Sequence, residues 1–314
     1  MSQDDRIQNW ERQIHRMVRD EDGRALLARM LGLRVAAPDN GPSVVVLIPS
    51  LNNIKRNVEK AIEVMLHHTR NSGVLVHSVV VYGHSLVQWV RNEMVAQLYQ
   101  ANSGRWTHVL FIDDDIEPEA DSLVKLLSHG KDIVGALCTV RTDPPIITLR
   151  DFDESTGDFK TRMHWKKDEL LQVDGLGTGM MLISRGALDK ITEFYLSCGY
   201  EKRLFGDTEQ VTALSAKRRA EFTDKRDERW WLNGCWFQCL PAMNGRGEYG
   251  EDIGFCLKAK HCGIPVYCDT SVQPKHHGDY GYGVRDFLFY KQELLERDAA
   301  AKAPAQNAGG ANEG

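Results

Sequence analysis

The sequence predicts an α/β fold, with a mostly parallel central sheet and helices on both faces. Two observations predict it. Between residues 44 and 134, apolar runs of strand length alternate with segments whose apolar residues recur at helical spacing, in the order βαβαβαβ. The leading run, Val44–Ile48, is apolar at every position rather than at alternate ones, as in strands buried on both faces.

In chain order, Val44–Ile48 is the first strand, and Ile54, Val58, Ile62, Met65 and Leu66 line one face of the helix that follows. Val79–Tyr82 is the second strand. Residues 85–99 form the second helix, with Leu86, Val90, Met94 and Leu98 on one face. Val109–Ile112 is the third strand. Pro118 stands at the start of a helix carrying Leu123, Val124, Leu126 and Leu127, and Ile133-Val134 leads a fourth strand. After residue 142 the rhythm changes. Residues 143–172 are polar, turn at Ser155-Thr156-Gly157, and predict hairpins or loops. Met180–Ile183 is another strand, with a short helix near 185–191. Residues 198–247 read as irregular and rich in charge and Trp, 250–262 as a helix, 264–274 as a strand and 285–298 as a last helix. The tail from 299 is rich in Ala, Gly and Asn and predicts disorder.

Ahead of the sheet, residues 4–34 place Ile7, Trp10, Ile14 and Met17, then Leu27, Met30 and Leu31, at helical spacing. This preface is expected to pack on the main domain or to join copies into a homo-oligomer. The expected organisation is an extension and linker over 1–42, one domain over 43–298 with two halves meeting at residue 142, and a tail over 299–314.

A chain of 314 residues can bury the core of one such domain. Its net charge of −5 gives no whole-chain basic footprint for nucleic acid, and the eight basic side chains of segment 201–231 are offset by seven acidic ones. No apolar run reaches the roughly 18 residues of a membrane span, and the polar first residues hold no secretory apolar region. The expectation is a cytoplasmic protein without a membrane span. Seven scattered cysteines with no CxxC pair read as reduced structural thiols rather than a zinc site.

The sharpest chemical signal is Phe111-Ile112-Asp113-Asp114-Asp115, an apolar strand ending in three carboxylates. In a parallel sheet, ligands bind beyond the strands' carboxyl ends. Adjacent carboxylates repel one another unless a cation neutralises them, so removing one should relieve the unliganded protein. Carboxylate oxygens suit Mn²⁺ or Mg²⁺, which commonly bridge protein acids and phosphates. The competing reading is a solvated acidic turn, with Glu117 and Glu119 favouring the next helix N-terminus. Gly175, Gly177 and Gly179 form either a plain turn or a close approach of backbone to a ligand. Glu251 and Asp252 open a helix as caps, as catalytic acids, or as both. His276 is a packed histidine or a third metal ligand beside two carboxylates. Trp230, Trp231 and Trp236 are core or a stacking platform.

Taken together and in order, these segments resemble the GT-A nucleotide-diphospho-sugar transferases, particularly the family-two-like group and its small bacterial and phage members. The resemblance covers about residues 43–283. Val46–Ser50, with Pro49 and Ser50, resembles the first strand and nucleotide-binding loop. Val90-Arg91-Asn92 resembles a helix motif whose Arg lies near the donor. Asp113-Asp114-Asp115 resembles the metal-binding DxD. Gly175–Gly179, including Thr178, followed by Met180–Arg185, resembles the strand beside the sugar pocket. Gly250–Ile253 resembles the late acidic motif under the acceptor, and His276-His277-Gly278 the C-terminal histidine motif, whose first His completes the metal site.

The resemblance implies a metal-dependent glycosyltransferase using a nucleotide diphosphate sugar. It implies Mn²⁺ or Mg²⁺ on Asp113, Asp115 and His276. Donor contacts would come from Pro49, Ser50, Arg91, Asp113, Asp114, Gly177, Thr178 and Gly179. Asp252 is the first candidate for the general base of an inverting enzyme and Glu251 the second; a retaining enzyme would need none. A helix N-terminus would hold Asp252 ionised. The acceptor stays open among glycans, lipids, proteins and modified DNA bases. A sugar nucleotidylyltransferase is the nearest alternative, but Ile48–Asn53 lacks its Gly-rich, basic loop. A non-catalytic nucleotide-sugar-binding module is the alternative from another class.

Overall fold

Seven strands build the central sheet: β1 (Ser43–Ser50), β2 (Leu75–Tyr82), β3 (His108–Ile112), β5 (Ile133–Ala136), β10 (Leu170–Val173), β11 (Met180–Ser184) and β14 (Val266–Asp269). Their order is β10-β14-β5-β11-β3-β1-β2. Pairs β1–β2, β1–β3 and β5–β14 are parallel, while β11 runs antiparallel between β3 and β5, and β10 antiparallel on β14. The sheet is therefore mixed, with most strands pointing one way. The structure is a computed structural model describing residues 41–51, 53–82, 86–100, 106–142, 144–223, 235–278 and 281–302. The preface over 4–34, most of the linker, Trp230, Trp231 and the tail after 302 lie outside the described residues.

Apolar runs became buried strands because both faces of this sheet are covered. Along β1, Val45 and Leu47 join Phe111, Met181 and Ile183 on one side; Val44, Val46 and Ile48 join Leu110, Ile112 and Leu182 on the other. Helices α2 (Val87–Gln100), α4 (Arg185–Leu196) and α7 (Glu251–His261) cover the first side, and α1 (Arg56–Asn71) and α3 (Ser122–Ser128) the second. Val58, Ile62, Met65 and Leu66 of α1 are buried, each worth about 1.5–3 kcal/mol as a fully covered side chain. The expectation of helices on both faces holds. On α2, Val90, Met94 and Leu98 are buried, but Leu86 precedes the helix and is exposed. Pro118 stands four residues before α3 rather than in its first turn.

Residues 143–172 form hairpins as expected: β6 (Thr139–Val140) with β7 (Ile146–Ile147), and β8 (Arg150–Asp153) with β9 (Asp158–Thr161) around the turn at 155–157. Residues 198–223, read as irregular, are instead largely helical: α5 (Gly199–Phe205) and α6 (Glu209–Thr223). Their helical character is hard to read because α6 has almost no apolar stripe. Arg218 holds it in place, donating to Glu201 at 2.5 Å and lying 4.1 Å over the Tyr195 ring, while Arg219 pairs with Glu193. The last helix, α8 (Val284–Lys302), runs through residues 299–302, which by composition belong to the tail. No helix among the described residues is long and apolar enough to cross a membrane.

Candidate active site

The triple aspartate follows β3, beside the carboxyl end of β1. Each of its three carboxylates turns to a different partner. Asp113 Oδ1 accepts from Arg91 Nη2 at 2.7 Å, Asp114 Oδ2 accepts from Ser50 Oγ at 2.6 Å, and Asp115 Oδ2 accepts from Arg141 Nη1 at 3.0 Å. Two of the three are thus paired with a guanidinium and the third with a neutral hydroxyl. The expectation that losing one aspartate relieves repulsion is corrected for Asp115. Burial opposes its ionisation, but His276 and then Arg141 outweigh burial and hold its pKa below the ordinary carboxylate value. Asp113 goes the other way: burial raises its pKa despite Arg91.

His276 reaches Asp115 through strand pairing. Directly after the aspartates the chain forms β4 (Ile116–Glu117), which pairs with β15 (Lys275–His277) in a small sheet completed by β16 (Gly281–Tyr282). The register sets His276 opposite Ile116, and the His277 N–H donates to the Asp115 carbonyl at 2.7 Å. His276 Nδ1 lies 2.5 Å from the Thr139 carbonyl oxygen, which can only accept, so Nδ1 carries the proton. Nε2, 3.2 Å from Asp115 Oδ1, is then a donor only in the charged ring and a free lone pair in the neutral one. Burial disfavours the charged ring, but the bonds to Asp115 and Thr139 prevail and raise its pKa. His277 turns away to Glu117 Oε2 at 2.7 Å.

The second acidic motif arrives on α7. Gly250 is its N-cap, and Glu251 and Asp252 occupy the first turn. Glu251 Oε1 accepts from Arg91 Nη1 at 2.7 Å, so one guanidinium ties the aspartate motif to this helix. Arg91 is 3% exposed, and although burial opposes its charge, the two carboxylates raise its pKa. The resemblance places Arg91 near the donor; in the structure it is a buried bridge between two acidic motifs. Asp252 Oδ1 accepts from the Ile253 N–H at 2.7 Å. The helix terminus was expected to hold Asp252 ionised; its Ile253 N–H does act in that direction, but burial, then the Glu251 charge, outweigh it and raise the pKa. A raised pKa makes a better proton acceptor than a depressed one.

The remaining predicted residues lie around this edge. Pro49 and Ser50 end β1 and are buried, with Ser50 committed to Asp114. Gly177 packs where an added Cβ would meet Thr148 Cγ2 at 3.0 Å, and Thr178 is buried, so protein neighbours already explain the small residue at 177. Gly179 is partly exposed, and its carbonyl accepts from the Asp113 N–H at 3.0 Å. Trp236 is core: it stacks on Tyr99 at 5.7 Å and donates Nε1 to Leu188 O. All seven cysteines are free thiols.

Sequence reasoning missed Arg141 and Thr139, and also Lys55, which lies at the same edge but touches none of the site carboxylates. Thr139 and Arg141 lie in and just after β6, with no motif or period to mark them; Thr139 meets the His276 ring and Arg141 meets Asp115. Lys55, the N-cap of α1, is a cation where acids are preferred, a signal that could have been noticed. Among the described residues, no group of three or more His, Cys, Asp and Glu side chains is arranged to hold a metal ion; Asp113 is paired with Arg91. Asp115 and His276 remain a carboxylate–imidazole pair whose ring is oriented from behind by Thr139, the arrangement usual for a ligating histidine. Two such donors fit an ion that takes its other oxygens from a phosphate. No protein-family model matches the chain, and no curated protein matches it.

Proposed function

We propose that this chain is a GT-A-type glycosyltransferase, moving a sugar from a nucleotide diphosphate donor to an acceptor hydroxyl. The observation that carries the reading is convergence. The ends of β1 and β3, the N-terminus of α7 and the β15 histidine, far apart in sequence, meet through Ser50–Asp114, Asp113–Arg91–Glu251 and Asp115–His276 contacts. The order of the matching segments supports the same family.

In this reading Asp115 and His276 would hold a divalent cation, Mn²⁺ or Mg²⁺, which would supply Lewis-acid neutralisation of the leaving diphosphate. The other roles belong to the chain. Asp252 takes the proton from the acceptor hydroxyl as that oxygen bonds to the anomeric carbon and the sugar–diphosphate bond breaks. Glu251 is the weaker candidate because Arg91 already engages it. Arg91 acts through its two acids, holding Asp113 and the α7 terminus in register. Donor sugar, nucleobase and acceptor are left open by these residues.

The test is release of nucleoside diphosphate from a panel of nucleotide sugars by the full chain, with Mn²⁺ and with excess chelator. One donor class should turn over, and only with the ion. Full turnover in chelator refutes the metal role, and failure to bind any nucleotide sugar refutes the transferase.

A further inference from the structure

Arg141 stands just after β6 and is about half exposed (46%), with Nη1 at 3.0 Å from Asp115 Oδ2. The same nitrogen lies 3.4 Å from the His277 carbonyl oxygen. Asp115 is thus shared between two partners of different mobility. The His276 backbone is fixed by β15 pairing and its ring is held from behind by the Thr139 carbonyl, so leaving Asp115 costs it that bond. The guanidinium can leave by rotating into solvent. A guanidinium and a divalent cation on one carboxylate repel each other, so a cation on Asp115 favours that rotation. The released group is planar, permanently charged and shaped to meet two phosphate oxygens.

Resting on the glycosyl-transfer reading, we infer that Arg141 exchanges partners: it neutralises Asp115 in the free protein and moves to the donor's diphosphate when Asp115 turns to a divalent cation. Arg141 is then the residue that meets the charge developing on the leaving diphosphate oxygen as the sugar–oxygen bond breaks. Lys55 marks the contrast. Its ammonium reaches the same edge, but its partners are the carbonyls of His277 at 3.3 Å and Gly278 at 2.5 Å, so it blocks no carboxylate.

The experiment measures two affinities by calorimetry in the full chain: Mn²⁺ alone, and UDP, GDP, CDP, dTDP and ADP in saturating Mn²⁺. Arg141→Ala should bind Mn²⁺ about 2–5-fold more tightly, the scale of a half-exposed ion pair removed as competitor. It should bind the preferred nucleoside diphosphate about 10–100-fold more weakly, the scale of lost charge-assisted hydrogen bonds. Arg141→Gln, nearer in size, should move both affinities in the same directions. Lys55→Ala should leave Mn²⁺ affinity unchanged. If Arg141→Ala leaves either affinity at the wild-type value, or Lys55→Ala tightens Mn²⁺ equally, the exchange is overturned. Wild-type protein that binds Mn²⁺ but none of the diphosphates would overturn the glycosyl-transfer reading and, with it, the anion role. Wild-type protein that binds both, beside an unaltered Arg141→Ala, overturns the exchange alone.

Discussion

Arg91→Met is the substitution whose cost the structure lets one work out. The guanidinium is 3% exposed, its partners Asp113 and Glu251 are 29% and 21% exposed, and both contacts are 2.7 Å long. Each pair, with charge centres about 4 Å apart at an effective dielectric near 20, is worth about 4 kcal/mol before desolvation. Much of that is offset by burying the cation, but removing the cation alone strands two carboxylates, and breaking such a pair costs about 3–5 kcal/mol. Methionine keeps contact with the Phe111 and Phe237 rings, which lie 6.0 and 5.8 Å from the guanidinium carbon, so little of the loss is packing. At about 2–4 °C per kcal/mol for a domain of this size, the melting temperature should fall by roughly 6–20 °C. Arg91→Lys should lie between, since one ammonium cannot fork to both acids. The triple variant Arg91→Met, Asp113→Asn, Glu251→Gln should be more stable than Arg91→Met alone, because the stranded charges are gone. Urea unfolding followed by circular dichroism reads all three. A loss below about 1 kcal/mol for Arg91→Met, or a triple variant less stable than the single, refutes the bridge.

Asp252→Asn should keep donor binding while turnover falls about 10²–10⁴-fold, and wild-type kcat/KM should decline as pH drops through a pKa above the ordinary carboxylate range. The stability sign is also set. A folded pKa raised above the unfolded one means that ionised Asp252 costs stability at neutral pH, so Asp252→Asn should melt no lower than wild type; a fall of several degrees would contradict this. Asp115→Asn should abolish Mn²⁺ binding and lower the His276 pKa, read by NMR titration. Because the folded His276 pKa is raised, its contribution is full below the unfolded value near 6.5 and fades as pH rises through the folded value, so, while Asp115 stays ionised, the stability gap to wild type should be wider at about pH 6 than at about pH 9. Gly254→Ala should destabilise by about 1–3 kcal/mol in thermal melts, since its Cβ would sit 2.2 Å from the Gln238 carbonyl oxygen; wild-type stability would mean α7 is not packed as described.

The sequence by itself determined the layering. Continuous apolar runs such as Val44–Ile48 can only be satisfied between two covered faces, and the 3.6-residue spacing of Val58, Ile62, Met65 and Leu66 can only make a one-sided helix. It also marked the end of β3, where an apolar run gives way to three acids, as the candidate site. Tertiary structure alone decided their partners. The β4–β15 register sets His276 at Asp115, and the hairpin after β6 adds Arg141 to the same carboxylate. The approach of α2 to α7 makes Arg91 a buried bridge, and the depth of Asp252 turns an expected dipole effect into a burial effect. Tertiary contact likewise stabilised α6, whose own sequence has no apolar stripe and whose helix leans on Tyr195 and Glu201. The physical reason is common to all of these. Periodicity is a property of neighbouring residues and is written locally, whereas a carboxylate's pKa and partner depend on groups that only long-range packing brings within a few ångströms.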